Sequence, residues 1–118
     1  MHLDTLRDLC LGLPGATEDL PFGPDTLVFK VGGKMFALAG LERLPPSVNL
    51  KCDPERALEL RDRYQAVAPG WHMNKRHWNT VALQGDAPDR AIRQWVQDSY
   101  SLVFHGLPAR LRAEIQPG

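Results

Sequence analysis

The nine residues Trp71-His72-Met73-Asn74-Lys75-Arg76-His77-Trp78-Asn79 bring two cations, two histidines, two tryptophans and two amides into one short stretch. Lys75 and Arg76 suit phosphate contacts, Asn74 and Asn79 can both donate and accept hydrogen bonds, and an exposed indole could stack on a base. The competing reading makes Trp71 and Trp78 core anchors and leaves Lys75 and Arg76 solvated at a loop tip. For the tryptophans, anchoring is the favoured reading, since large aromatics so often serve that way. His72 and His77 lack the i, i+4 spacing of zinc-binding helices and have no acid or thiol beside them, so no metal site is expected.

Other chemistry is harder to assemble. There is no G-x-S-x-G, and Ser99-Tyr100-Ser101 lies within a helical pattern, so no nucleophile with its base is legible and no catalysis is expected. His2 and His105 are isolated and read as surface or packing residues. Gly32-Gly33 lacks the rest of a phosphate loop and sits between strand-like runs. Lys30 and Lys34 flank it and, with Lys51, make a second cationic point; edge lysines that discourage aggregation are the slightly favoured alternative. Asp4, Asp8 and Glu18 are scattered and form no carboxylate pair.

The elements that must position these residues follow from periodicity. Leu3, Leu6, Leu9 and Leu13 predict a helix over about 3–12, ended by Leu13-Pro14-Gly15. Asp25 to Val31 reads as a strand with Leu27, Phe29 and Val31 on one face and Thr26, Val28 and Lys30 on the other. Gly32-Gly33 predicts a tight hairpin turn into a strand over 34–39. A third strand covers 47–51. Asp53-Pro54-Glu55 opens a helix over about 54–64 that buries Ala57, Leu60 and Tyr64. His77 to Leu83 reads as another strand, approached by a loop from Trp71. Ile92, Trp95, Val96, Ser99, Leu102 and Val103 repeat at helical intervals up to Gly106, and Pro108 opens a short last helix carrying Leu111 and Ile115. Strands in the middle and helices at the ends predict an α+β fold, an antiparallel sheet flanked by N- and C-terminal helices.

The 118 residues fit one domain spanning 1–118, with 43% hydrophobic and 24% charged residues, an ordinary globular composition. Fourteen Lys plus Arg balance fourteen Asp plus Glu. Whole-molecule attraction to nucleic acid or anionic lipid is thereby excluded, and electrostatic binding must come from a local patch. An acidic start and the lack of a long apolar run predict a cytoplasmic location. Cys10 and Cys52 are widely spaced and read as reduced, buried thiols.

Taken in order, Leu13-Pro14-Gly15, Glu18-Asp19-Leu20-Pro21-Phe22-Gly23, Phe29-Lys30-Val31-Gly32-Gly33-Lys34-Met35-Phe36, Asn49-Leu50-Lys51-Cys52-Asp53-Pro54, Pro69 through Val81 and Ser99-Tyr100-Ser101-Leu102-Val103 resemble the MmcQ/YjbR family of small bacterial proteins. The resemblance covers nearly the whole chain. It implies a frataxin-like fold and a double-wing mode of binding double-stranded DNA. Carried onto this sequence, one wing is the hairpin with Lys30 and Lys34, and the other holds His72, Asn74, Lys75 and Arg76. Neither a cofactor nor iron binding is carried over, because the first helix offers only Asp4 and Asp8 where an acidic ridge would be needed. A protein- or small-ligand-binding module is the alternative function.

Overall fold

The leucine periodicity at the start becomes α1 (Leu3–Leu11), whose inward face buries Leu6 and Cys10 completely. In the computed structural model, which describes residues 1–116, a short strand β1 (Thr17–Asp19) follows. Next come β2 (Thr26–Val31), β3 (Lys34–Gly40) and β4 (Ser47–Lys51). The helix α2 (Pro54–Arg63) begins at Asp53, whose carboxylate accepts a hydrogen bond from the Arg56 amide, with proline in the first turn where no donor is missed. Then follow β5 (Val67–Pro69), β6 (Trp78–Ala82), α3 (Asp89–His105) and α4 (Ala109–Ile115).

The six strands form one sheet in the order β1-β2-β3-β4-β6-β5, antiparallel throughout. The architecture is α+β, with helices at both ends of the chain. Gly32 and Gly33 adopt φ values of 58° and 80°, the signature of a two-residue type I′ turn between β2 and β3. Gly32 has a second reason to lack a side chain: a Cβ there would lie 2.5 Å from Leu107 Cδ1, which packs against the turn.

The sheet has two unlike faces. Leu27, Phe29 and Val31 of β2, with Val48 and Leu50 of β4 and Val81 of β6, join Ile92, Val96 and Val103 of α3 in the main core. The opposite face carries no helix; there Val28, Leu38 and Trp78 form a small cluster under Met35 and Met73. Val28 is therefore fully buried on the face that strand alternation alone would leave to solvent.

Between Phe29 and Lys30 the β2–β3 register slips by one residue, so that Phe36 faces no partner on β2. Such a bulge lets two successive side chains, Phe36 and Ala37, both enter the main core. On the other side of β3, the ladder with β4 ends at Ala37 and Leu50. Just beyond that last pair Ser99, wholly buried on α3, bridges the two strands: its hydroxyl donates to the Phe36 carbonyl at 2.6 Å and accepts from the Lys51 amide at 2.8 Å.

Two strands escaped the sequence reading. β1 and β5 are three residues each, too short for alternation to show, and β5 ends in Pro69, which edge strands tolerate. Both are edge strands of the sheet.

Candidate nucleic-acid interface

The strand register decides where the cationic residues meet. Val31 pairs with Lys34 at the β2–β3 turn, Ala37 with Leu50, and Lys51 with Trp78. The β2–β3 turn, the end of β4 and the 70–77 loop between β5 and β6 therefore share one end of the sheet. Lys30, Lys34, Lys51, Lys75 and Arg76 are gathered there. Asp53 and Glu55, which open α2, are the acids of the adjoining segment. Asp25, Glu42, Asp86 and Asp89 occupy the other end, where the α-amino group donates to the Leu83 carbonyl and pairs with Asp89 at 3.2 Å. Arg43, Arg90 and the α-amino group lie at that far end too, so the strand register establishes a local cationic cluster at the hairpin end rather than a separation of charge over the whole chain. The two hairpin loops are separated by three strand spacings, about 14 Å at roughly 4.8 Å each.

The 70–77 loop is held from below. Arg61 of α2 donates from Nε to Asn79 Oδ1 at 2.7 Å and from its terminal nitrogen to the carbonyls of Lys75 and Trp78. Asn79, buried, donates in turn to the Ala57 carbonyl at 3.3 Å. Asn79 therefore fastens the loop to α2 and cannot read a ligand, contrary to the sequence expectation. Gly70 is needed for close approach, since a Cβ there would lie 2.8 Å from both the Cβ and the carbonyl oxygen of Trp78.

The sequence-predicted residues differ in how free they are. Arg76 and Lys34 are exposed and take no part in an ion pair among the described residues. Lys75 is exposed too, but its ammonium donates to the Gly70 carbonyl at 2.9 Å. Asn74 accepts from the Arg76 amide at 3.0 Å, an Asx turn that shapes the loop tip. Lys30 lies 3.9 Å from Asp19, a loose pairing. His72 is exposed and has φ 58°, a left-handed conformation unusual for a residue with a side chain.

The two tryptophans part company. Trp78 is 9% exposed and anchors the loop, whereas Trp71 is 53% exposed, so the core-anchor expectation is right for one and wrong for the other. The Trp71 amide donates to Thr80 Oγ1 at 2.8 Å, which bends the loop back over the helix-free face. There the Arg43 guanidinium lies 3.9 Å from the Trp71 ring centre, and the His72 ring flanks it at 4.0 Å. These groups, with Phe22, Met35 and Asn49, border a groove of about 620 Å³. Sequence reasoning missed Arg43 because it comes from the β3–β4 connection at the far end of the sheet; its adjacency to Trp71 exists only in three dimensions.

Neither thiol is primed for chemistry. Burial pushes Cys10 up to about 12. Cys52 is half-buried, less enclosed than expected, and is raised by burial and then by Asp53 and Asp98, against the opposing pull of Arg56 and Arg61. Among the described residues no three His, Cys, Asp or Glu side chains are grouped as a metal site, and no helix is long and apolar enough to cross a membrane.

A family model described as YjbR matches residues 11–102. The chain belongs to the YjbR family. This YjbR-family chain is 39% identical over 115 residues to the uncharacterized protein YbdF of Escherichia coli O157:H7, covering 98% of the chain and 94% of YbdF. It is 35% identical over 112 residues to the uncharacterized protein YjbR of Escherichia coli K12, covering 95% of each. Among solved structures, Deinococcus radiodurans protein DR2400, with a DUF419 family-model domain, superposes with TM-score 0.89 at 42% identity, over 96% of this chain and 86% of that one. A Pseudomonas syringae protein superposes with TM-score 0.76 at 28% identity, over 87% of this chain and 99% of its own. The YjbR-family resemblance read from ordered phrases thus holds along nearly the entire sequence.

Proposed function

We propose that the protein is a non-catalytic domain that binds double-stranded DNA through the end of the sheet where the two hairpin loops meet. The observation that carries this reading is the convergence, by strand register, of Lys34 in one turn and Arg76 in the other, with Lys30, Lys51 and Lys75 between and beside them. Cations at that spacing suit phosphates on the two sides of a groove, whose width in B-DNA is about 12 Å on the major-groove side. Phosphate contacts of this kind position a protein on the duplex without reading sequence. His72 and Asn74 stand on the second loop as supporting polar contacts. Two thiols held protonated are in keeping with binding rather than cysteine chemistry.

Amide chemical-shift mapping with a random duplex of about one helical turn tests the surface. Shifts at 30–36, 51 and 70–77, with α4 and the far end of the sheet unmoved, are the expected outcome. Shifts centred on Arg43 and Phe22 instead would favour a second reading, in which the groove over the helix-free face takes a small planar ligand against Trp71. The 620 Å³ volume and the half-exposed indole support that alternative.

A further inference from the structure

The apolar stripe of α3 extends beyond what the fold covers. Trp95 and Leu102 are seven residues apart and so lie on one helical face, yet Trp95 is buried and Leu102 is 43% exposed. The helical pattern had marked Leu102 as an inward residue. In the fold it borders a crevice of about 380 Å³ on the helix-covered side of the sheet, walled by Leu50, Leu60, Val81 and Trp95 and open to solvent between α2 and α3.

The polar groups at its rim are largely engaged with one another. Asp53 caps α2 through the Arg56 amide, and the Arg56 side chain pairs with Glu59 at 3.0 Å. Asp98 accepts from Gln94 at 2.9 Å, and Asn79 holds Arg61 and the Ala57 carbonyl. Lys51 and Arg56 bring two positive charges to the rim and Asp53 and Asp98 two negative ones, so neither sign of ligand charge is favoured. The walls reward apolar surface, and the rim charges offset one another in number.

We propose that this crevice, which adjoins the hairpin end at Lys51 but opens on the helix-covered side, is a binding site for a small neutral apolar molecule about the size of two fused aromatic rings. The size follows from volume: a cavity of about 150 Å³ accommodates benzene, and this crevice is some two and a half times larger. An occupant would cover Leu102 and complete the stripe that begins at Trp95.

The test uses the full chain and two probes of matched shape, 2-naphthol and 2-naphthoate, followed by amide chemical shifts. Saturable shifts at Cys52, Leu60 and Leu102 with 2-naphthol, and binding at least about tenfold weaker for 2-naphthoate, are expected. Leu102→Trp, at an exposed position, should fill the mouth and weaken 2-naphthol by about tenfold with the spectrum otherwise unchanged. A second readout needs no variant: 2-naphthol should slow alkylation of Cys52 by N-ethylmaleimide severalfold, while the buried Cys10 stays unreactive. Absence of saturable shifts at the crevice, equal or tighter binding of 2-naphthoate, or an unchanged alkylation rate would each overturn the proposal.

Discussion

Among the described residues His72 is the one non-glycine residue with a positive φ, which limits what can replace it. At φ 58° a β-branched side chain crowds the neighbouring carbonyl, whereas asparagine tolerates this region. His72→Val is expected to lower stability by about 1–2 kcal/mol relative to His72→Asn, measured by denaturant unfolding. Cys10 gives a prediction in pH. Its thiol titrates near the ordinary 9.0 when unfolded and is pushed up to about 12 by burial in the native state. A raised native value means that the stabilisation is complete below pH 9 and is lost as pH climbs toward 12. Thermal unfolding from pH 7 to 11 should therefore fall more steeply in the wild type than in Cys10→Ala; parallel slopes would contradict this. At the same scale, the sequence made Lys75 and Arg76 equally visible as cations. It could not show that Lys75 is tied to the Gly70 carbonyl, a bond set by the path of the loop, while Arg76 is free of ion pairs among the described residues.

The elements rest on a few joints that combine backbone and side chain. Ser99 bridges the Phe36 carbonyl and the Lys51 amide where the β3–β4 ladder ends. Ser99→Ala would leave the buried Phe36 carbonyl and the part-buried Lys51 amide without this partner and is expected to cost about 1–3 kcal/mol, read from the shift in the denaturant midpoint at constant slope. Ser99→Ala without a measurable loss would mean that these two backbone groups find other partners. The glycine pair at 32–33, the proline after Asp53 and the apolar repeat of α3 each have a local cause, and each element was legible from sequence. β1, β5 and the bulge were not, because short edge pairings and a one-residue register slip depend on what lies across the sheet rather than on neighbours in the chain. Leu102 misled for a related reason: periodicity identifies a helix face but not how far the packing partners extend along it.

For the whole molecule, the consequential property is the gathering of five cations at one end of the sheet, invisible in a composition with fourteen charges of each sign. The sequence showed two cationic points; only the strand register puts them at one end, about 14 Å apart. The candidate site was therefore legible as residues but not as a surface, and its groove neighbour Arg43 was not legible at all. The most direct measurement is fluorescence anisotropy of a labelled random duplex against the wild type and a Lys34→Glu/Arg76→Glu variant across a range of salt. Wild-type affinity should fall with salt along a log–log slope of about −4.5 if all five cations engage, and the variant should bind more weakly with a slope shallower by about 2. Equal affinity and equal slope for the two proteins would contradict DNA binding at the hairpin end.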